Sequence, residues 1–352
     1  MYQPPQQPPK PKKKKTGLII IIVLAAILVL GGVGTVVYFV LGGGNPYSTG
    51  TQEYTNGTYT GEFMNNLRHG EGTMVYLDGA TYEGGWADDV RSGYGVMTLP
   101  DGSRYAGDWL NDVMNGYGEL RFANGDRYEG NWVNARANGQ GTLYWTNGDR
   151  YTGNFVSDMR QGRGTMTYAN GEIYEGDWAN DEQHGFGTYT WPDGEKYEGT
   201  FSHGERTGYG IHTYLGGDEY EGEFVDGYRD GIGTYTWAGG AVYEGDWERG
   251  WRTGFGTMYY IDGAVYEGEW VRSVREGFGI LTWPSGAEYI GDFSNDVRSG
   301  FGMYTWPDGA IYIGDWLDGL RHGYGIHTNP DGSVYDGMWE NNVFIGEEEE
   351  EE

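Results

Sequence analysis

The chain has 352 residues, among them 66 Gly, 31 Tyr, 14 Trp and 12 Phe, and it contains no cysteine. The absence of thiols excludes disulfides, thiolate metal sites and cysteine nucleophiles, whereas abundant glycine together with abundant rings favours tight turns around an aromatic core. The formal net charge is −29, and all 52 acidic residues lie beyond residue 46. Such a segment repels polyanions, so nucleic acid and anionic lipid headgroups are not expected as its partners.

The first 46 residues differ from the rest. Residues 1–16 combine prolines and lysines with almost nothing apolar to bury, which predicts a disordered basic tail. Residues 17–41 contain an uncharged, proline-free run from Leu18 to Leu41, which as a helix would rise ~36 Å and cross a ~30 Å hydrocarbon core. We predict a single transmembrane helix there, followed by a linker over residues 42–55.

The charges beside this helix predict its orientation. Lysines cluster on its N-terminal side, and no Lys or Arg follows it until Arg68. By the positive-inside rule, the N-terminus is cytoplasmic and the rest of the chain lies outside the cell membrane. A cleaved signal peptide and a reversed anchor are the alternatives, although the apolar run is longer than a typical signal-peptide core.

A repeat occupies most of the remaining chain. The motif Tyr-x-Gly-x-(Trp/Phe) occurs 13 times at a constant step of 23 residues, from Tyr59 to Tyr335. We number the Tyr as position 1; positions 3, 12, 14 and 21 are then Gly in every complete unit, and position 10 is mostly Arg. The best-preserved stretch runs from Tyr243 to Trp247 as YEGDW, followed by GFG at 254–256 and Asp262-Gly263 before the next Tyr.

YEGDW, then GxG, then DG on a 23-residue period resembles the MORN repeat, the membrane occupation and recognition nexus motif, over residues 56–346. The sequence departs from this pattern at positions 10 and 13 of a few units. Arg is replaced at position 10 by Met114, Ala137 and Gln183, and an apolar residue is replaced at position 13 by Glu71, Gln140 and Arg163. MORN arrays are associated with protein scaffolding and with phospholipid contact, and the resemblance implies the same classes of function here.

The residues of the repeat predict a β-hairpin. In YEGDW the rings alternate with small or acidic residues at period 2, so Tyr243 and Trp247 share one strand face and the acids lie on the other. A second strand is expected from Gly254 to Tyr260, with Gly263 in the turn to the next unit. The invariant strand glycines should lie beneath a ring from a neighbouring hairpin.

The fold class follows from the hairpin. One hairpin cannot bury its aromatic face alone, so we predict an all-β fold, an elongated single-sheet array of 13 stacked hairpins over residues 56–346, preceded by the transmembrane helix. An acidic tail, residues 347–352, follows the array.

Catalytic signatures are absent from the sequence, and neither enzymatic activity nor a cofactor is expected. His69, His184 and His322 recur at position 11, so the repeat itself explains them. We expect a non-enzymatic, membrane-anchored scaffold or adhesion rod that binds other proteins. The alternative is a module that binds a cell-surface polymer (glycan or wall) or phospholipid.

The candidate interaction surface combines rings and acids of three consecutive units. Its rings are Tyr243, Trp247, Tyr266, Trp270, Tyr289 and Phe293, and its acids are Glu244, Asp246, Glu267 and Glu269. The rings could instead be consumed by packing between neighbours. For the acids we expect a solvated face with Arg partners at position 10, such as Arg229, Arg252 and Arg275, and Ca²⁺ bridging is the alternative.

Overall fold

The computed structural model describes residues 47–346. The predicted basic tail, transmembrane helix and acidic tail lie outside these residues. Within them, no helix is long and apolar enough to cross a membrane. The described residues fall into two compact units, which divide between Pro192 and Asp193. We call residues 47–192 the N-terminal unit and residues 193–346 the C-terminal unit.

In the N-terminal unit, thirteen strands follow one another as an antiparallel meander, each paired with the next. They are β1 Tyr47–Tyr54, β2 Gly57–Met64, β3 Leu67–Tyr76, β4 Thr81–Ala87, β5 Val90–Thr98, β6 Arg104–Leu110, β7 Val113–Arg121, β8 Arg127–Val133, β9 Arg136–Tyr144, β10 Arg150–Val156, β11 Met159–Thr167, β12 Ile173–Ala179 and β13 Glu182–Thr190.

The C-terminal unit has the same antiparallel order over fourteen strands. They are β14 Lys196–Ser202, β15 Glu205–Thr213, β16 Glu219–Val225, β17 Tyr228–Thr236, β18 Val242–Glu248, β19 Trp251–Tyr259, β20 Val265–Val271, β21 Val274–Thr282, β22 Glu288–Ser294, β23 Val297–Thr305, β24 Ile311–Leu317, β25 Leu320–Thr328, β26 Val334–Glu340 and β27 Val343–Gly346. The all-β, hairpin-based architecture predicted from the sequence is therefore confirmed in each unit.

The sheet begins earlier than predicted. Residues 47–54, which we assigned to the linker, form β1 and pair with β2 along its whole length. Gly50 pairs with Gly61, as a position-14 glycine pairs with the position-3 glycine of the next repeat. Strand β1 thus acts as the second strand of an incomplete hairpin. Only residues 55–56 separate it from β2, so it lies off the 23-residue step and the repeat pattern does not identify it.

Two kinds of turn connect the strands. Between repeats, the predicted turn is confirmed: the Gly263 N–H donates to the Tyr260 carbonyl (2.9 Å), and Gly263 has a φ of +85°. Within a repeat, two residues with positive φ connect the strands, for example Asn65 at 53° and Asn66 at 67°. These are the dihedrals of a type I′ turn, whose twist suits a hairpin and which favours Asn, Asp and Gly. The second strand accordingly starts near position 9, at Trp251 in β19, and not at Gly254.

Glycines pair with glycines throughout each sheet. Gly245 of β18 lies opposite Gly256 of β19, which in turn lies opposite Gly268 of β20. A Cβ on Gly245 would lie 2.5 Å from the Gly256 Cα and 2.7 Å from the Phe255 carbonyl oxygen, both backbone atoms that cannot rotate away. A Cβ on Gly256 would enter the Tyr243 ring. The covering ring therefore belongs to the same repeat, and the prediction of a ring from a neighbouring hairpin was wrong.

We expect Gly245→Val to destabilise the protein by about 1 to 3 kcal/mol or more, because the added atoms overlap fixed backbone. The exposed Glu244 lies next to it, and Glu244→Ala should change stability by no more than about 0.5 kcal/mol. Thermal unfolding followed by circular dichroism would compare the two variants. Equal melting temperatures would show that the sheet accommodates a side chain at position 3.

Candidate functional site

The six predicted rings are core residues. Tyr243, Tyr266 and Tyr289 have no exposed surface, and Trp247, Trp270 and Phe293 are between 2% and 5% exposed. Because their surfaces are already covered, these rings cannot contact a partner, and this half of the predicted interaction surface was wrong. The alternative reading, in which neighbour packing consumes the rings, describes them correctly.

Ring-to-ring contacts explain this burial. Tyr243 meets Trp247 of its own repeat at a centroid distance of 5.3 Å and Trp270 of the next repeat at 5.4 Å, both nearly perpendicular. Such edge-to-face pairs place the positive edge of one ring against the negative face of another, which favours this geometry. Each tyrosine therefore joins its own repeat to the following one.

The polar atoms of these rings are also satisfied. The Tyr243 hydroxyl crosses the glycine pair and donates to the Asp246 carbonyl at 3.1 Å. The Trp270 indole N–H donates to the carbonyl of Gly256 in the preceding repeat at 3.1 Å. Burial therefore leaves neither of these two donors without an acceptor.

Arginines at position 10 lie on the ring side of the sheet, not on the acidic side as predicted. The Arg252 guanidinium stacks 4.3 Å from the Trp270 ring centroid, and its Nη2 donates to the Ser273 carbonyl at 3.0 Å. Arg229 is 5% exposed and makes the equivalent bond to Gly250. Arg275 pairs with Asp296, a turn residue of the next repeat, at 3.2 Å. These arginines lock adjacent repeats together and do not neutralise the strand acids.

The acids of the predicted surface lie on the opposite side, and those at positions 2 and 4 differ in role. Glu244 and Glu267, at position 2, are exposed. The register between β18 and β19 shifts after Gly245, which forms a β-bulge and leaves the Phe255 N–H without a partner in β18. The side chain of Asp246, at position 4, accepts a hydrogen bond from this N–H at 2.9 Å. Glu269 accepts from Phe278 in the same way at 3.3 Å. Position-4 carboxylates thus accept the backbone N–H that the bulge leaves unpaired, while position-2 carboxylates face solvent.

A row of exposed apolar side chains at position 13 lies between these acids, and sequence reasoning missed it. In the C-terminal unit its members are 44–68% exposed: Tyr209, Ile232, Phe255, Phe278, Phe301 and Tyr324. Phe255 pairs across the strands with Glu269 of the next repeat. The signal was present in the sequence: position 13 directly precedes the ring-covered glycine of position 14, and strand alternation therefore directs it to the acidic side.

The C-terminal unit leaves this side strongly acidic. We define the acidic–aromatic face as positions 2, 4, 13, 15 and 17 of strands β15–β26. It has no Lys or Arg at these positions, and its acids are Glu221, Glu223, Glu244, Asp246, Glu267, Glu269, Asp292, Asp315 and Asp336. In the N-terminal unit, by contrast, Arg127 bridges Glu119 and Glu129 at 2.9 Å each, and Arg121 pairs with Glu119 at 2.6 Å. Two acids of the N-terminal unit are therefore paired with arginines, whereas no Lys or Arg occupies a position of the acidic–aromatic face.

In the described residues 47–346, no three or more His, Asp or Glu side chains lie close enough together to hold a metal ion. His69, His184 and His322 occupy equivalent places on three separate repeats. The acids of positions 2 and 4 form rows along the sheet and do not converge on one point.

Within each unit, the hairpins pair through facing glycines, and tyrosines such as Tyr243 pack between two rings. This arrangement defines a β-hairpin repeat protein, in which a repeat packs on its sequence neighbours. A family model of the MORN repeat matches twelve consecutive copies, from residues 59–81 to residues 312–334. The chain belongs to the MORN-repeat family. The incomplete thirteenth copy, from Tyr335, lies beyond the matched range.

Several solved structures are similar to the chain at low sequence identity. The TCP10 domain of Danio rerio CPAP, in complex with a peptide of Danio rerio STIL, is 14% identical with a TM-score of 0.25, covering 70% of this chain and 96% of that one. The G-box domain of the microcephaly protein CPAP is 11% identical with a TM-score of 0.22, and the match covers 70% of this chain and 100% of that one. Virginiamycin B lyase from Staphylococcus aureus is 10% identical with a TM-score of 0.14, and the match covers 86% of this chain and 92% of that one. No curated protein sequence matches the chain.

Alkaline pH should unfold the ring layer. Burial raises the pKa of Tyr151 and Tyr312 from 10.0 to about 12, because the buried phenolate is poorly solvated. A raised folded-state pKa means that the stabilisation is complete below pH 10 and is lost as the pH rises from 10 towards 12. We therefore expect the largest rise in tyrosinate absorbance, that of the buried tyrosines, to coincide with the loss of β-sheet circular dichroism. Ionisation of these tyrosines with the sheet intact would contradict their burial.

Proposed function

We propose that this protein is a non-enzymatic, membrane-anchored MORN scaffold that binds another protein through its acidic–aromatic face. The observation that carries the proposal is the row of position-13 side chains, which are apolar, half-exposed and flanked by uncompensated acids. Aligned exposed aromatics of this kind mark contact surfaces, since their burial against a partner releases water from apolar area.

The charge of the face favours a protein over the alternatives. Nine carboxylates on a face whose own positions carry no Lys or Arg repel anionic phospholipid headgroups. The buried rings of positions 1 and 5 are not available to stack on a sugar. A glycan or wall polymer could still reach the Phe255 row, and the partner experiment below separates it from a protein.

The membrane anchor rests on the sequence alone. The uncharged run from Leu18 to Leu41 is long enough to span a bilayer, and five lysines precede it. The positive-inside rule places the repeats on the outer side of the cell membrane. The scaffold would then hold its partner at the cell surface.

The partner test compares proximity labelling by the intact protein with labelling by F255Q/F278Q. Gln should be compatible with the fold, since Gln140 occupies position 13 in this same chain. We expect the double variant to lose most of the specifically labelled proteins, because about half the area of each ring would no longer be buried on binding.

The matched control is L215Q/I261Q, which replaces two exposed apolar residues in connections between repeats, outside the positions that define the face. This variant should label the same proteins as the wild type. An unchanged protein set in F255Q/F278Q would reject the face as the protein-binding site. A glycan array in which F255Q/F278Q abolishes binding, with no protein partner captured, would favour the polymer-binding alternative.

Protease added to intact cells tests the topology. We expect the repeats to be digested without permeabilisation, while an N-terminal epitope tag placed before the lysines stays protected. A cytoplasmic protein must remain intact as the control for cell integrity. Protection of the repeats in intact cells, with digestion only after permeabilisation, would place them in the cytosol and reject a surface scaffold.

A further inference from the structure

The position-13 row has a defined spacing. Its members in the C-terminal unit lie on β15, β17, β19, β21, β23 and β25, one on every second strand. Adjacent strands lie ~4.8 Å apart, so consecutive members are separated by ~9.6 Å along the sheet. Any ligand that uses several members must therefore present equivalent groups at that interval.

One backbone conformation matches this interval with its own period. A polyproline II helix has three residues per turn and advances ~3.1 Å per residue, or ~9.3 Å per turn. An extended β-strand repeats its side-chain direction every ~6.6 Å. An α-helix repeats every ~5.4 Å. Neither of these two periods matches the ~9.6 Å spacing of the row, so equivalent side chains of such a ligand would not meet successive position-13 residues.

The acids of the face define the charge of the ligand. Glu244 and Glu267 are exposed and lie on the same side as Phe255. Tyr209 donates its hydroxyl to Glu221 at 2.5 Å, which shows that a position-13 side chain and a position-2 acid of the next repeat lie within reach of one another. No Lys or Arg occupies a position of the face between two such acids, so a ligand with positive charge is favoured.

We propose that the acidic–aromatic face binds a basic, proline-rich segment in the polyproline II conformation, lying across the strands of the C-terminal unit. In each turn of the ligand, one proline packs on a position-13 side chain. A Lys or Arg reaches the position-2 carboxylate where the repeat has one, at Glu221, Glu244, Glu267 and Asp336, whereas Ile290 and Ile313 occupy position 2 in the two repeats between. Proline-rich ligands suit aromatic rows because their backbone is already ordered before binding. This inference rests on the proposed protein-binding function and specifies its ligand.

The test measures peptide binding to the full-length protein in detergent micelles by fluorescence anisotropy. The probe is the labelled peptide (Pro-Lys-Pro)6, which as polyproline II is ~56 Å long and spans the row. The control peptides are (Gly-Lys-Gly)6, with the same charge but a flexible backbone, and (Pro-Glu-Pro)6, with the opposite charge. We expect (Gly-Lys-Gly)6 to bind about tenfold more weakly than (Pro-Lys-Pro)6, and (Pro-Glu-Pro)6 to show no binding.

Variants of the protein test the two halves of the contact separately. F255Q/F278Q/F301Q should weaken (Pro-Lys-Pro)6 binding about tenfold, whereas F255Y/F278Y/F301Y should retain it, since Tyr209 and Tyr324 already occupy this row. E244Q/E267Q should weaken binding and reduce its salt dependence. Circular dichroism of each variant verifies that the sheet is intact.

Equal affinity for (Pro-Lys-Pro)6 and (Gly-Lys-Gly)6 would show that charge alone attracts the peptide and would overturn the polyproline II inference. Binding of (Pro-Lys-Pro)6 that survives the triple Gln substitution would overturn the assigned face. In either case, loss of labelled protein partners in F255Q/F278Q would still support the scaffold, so failure of the inference and failure of the proposed function give different results.

Discussion

The close approach of two glycine backbones beneath each tyrosine ring is the constraint on which the rest of the repeat depends. Without a Cβ at positions 3 and 14, the Tyr243 ring lies on the sheet itself, and its hydroxyl reaches the Asp246 carbonyl. That placement leaves space on both sides of the ring for Trp247 and Trp270. Arg252 then covers the Trp270 ring. Each contact of the core is therefore positioned by the absence of two side chains.

The sequence was sufficient to predict the hairpins, the sheet, the separation of rings from acids and the turn at Gly263, because each depends on local periodicity. Other features were predicted incorrectly or only as an alternative. Burial of Tyr243 by neighbour packing was the alternative to a ligand-binding role, because strand alternation does not describe whether the ring of the next repeat covers it. The position of Arg252 depends on cation–π stacking across repeats, which its charge alone does not indicate. Strand β1 departs from the 23-residue step, and only its pairing with β2 identifies it.

The same limits apply to the candidate site. Its acids were placed correctly because they alternate with the rings along one strand. Its apolar members were not, because a preference for Phe or Tyr at position 13 is more often the mark of a core position. Only the register of Phe255 against Glu269 shows that these rings lie among the acids. The face combines apolar area with negative charge, a combination that selects a ligand by charge and by shape at once.

The fixed length of each hairpin restricts how such a chain can change over generations. A single residue inserted within a strand would move every following side chain to the opposite side of the sheet, exchanging rings for carboxylates. It would also place a residue with a Cβ where the glycines of positions 3 and 14 face one another. Length can therefore vary at the turns, as the short connection between β1 and β2 illustrates, or by gain and loss of whole 23-residue units. Members of a family built on these facing glycines are expected to differ in the number of hairpins and to keep the same hairpin length.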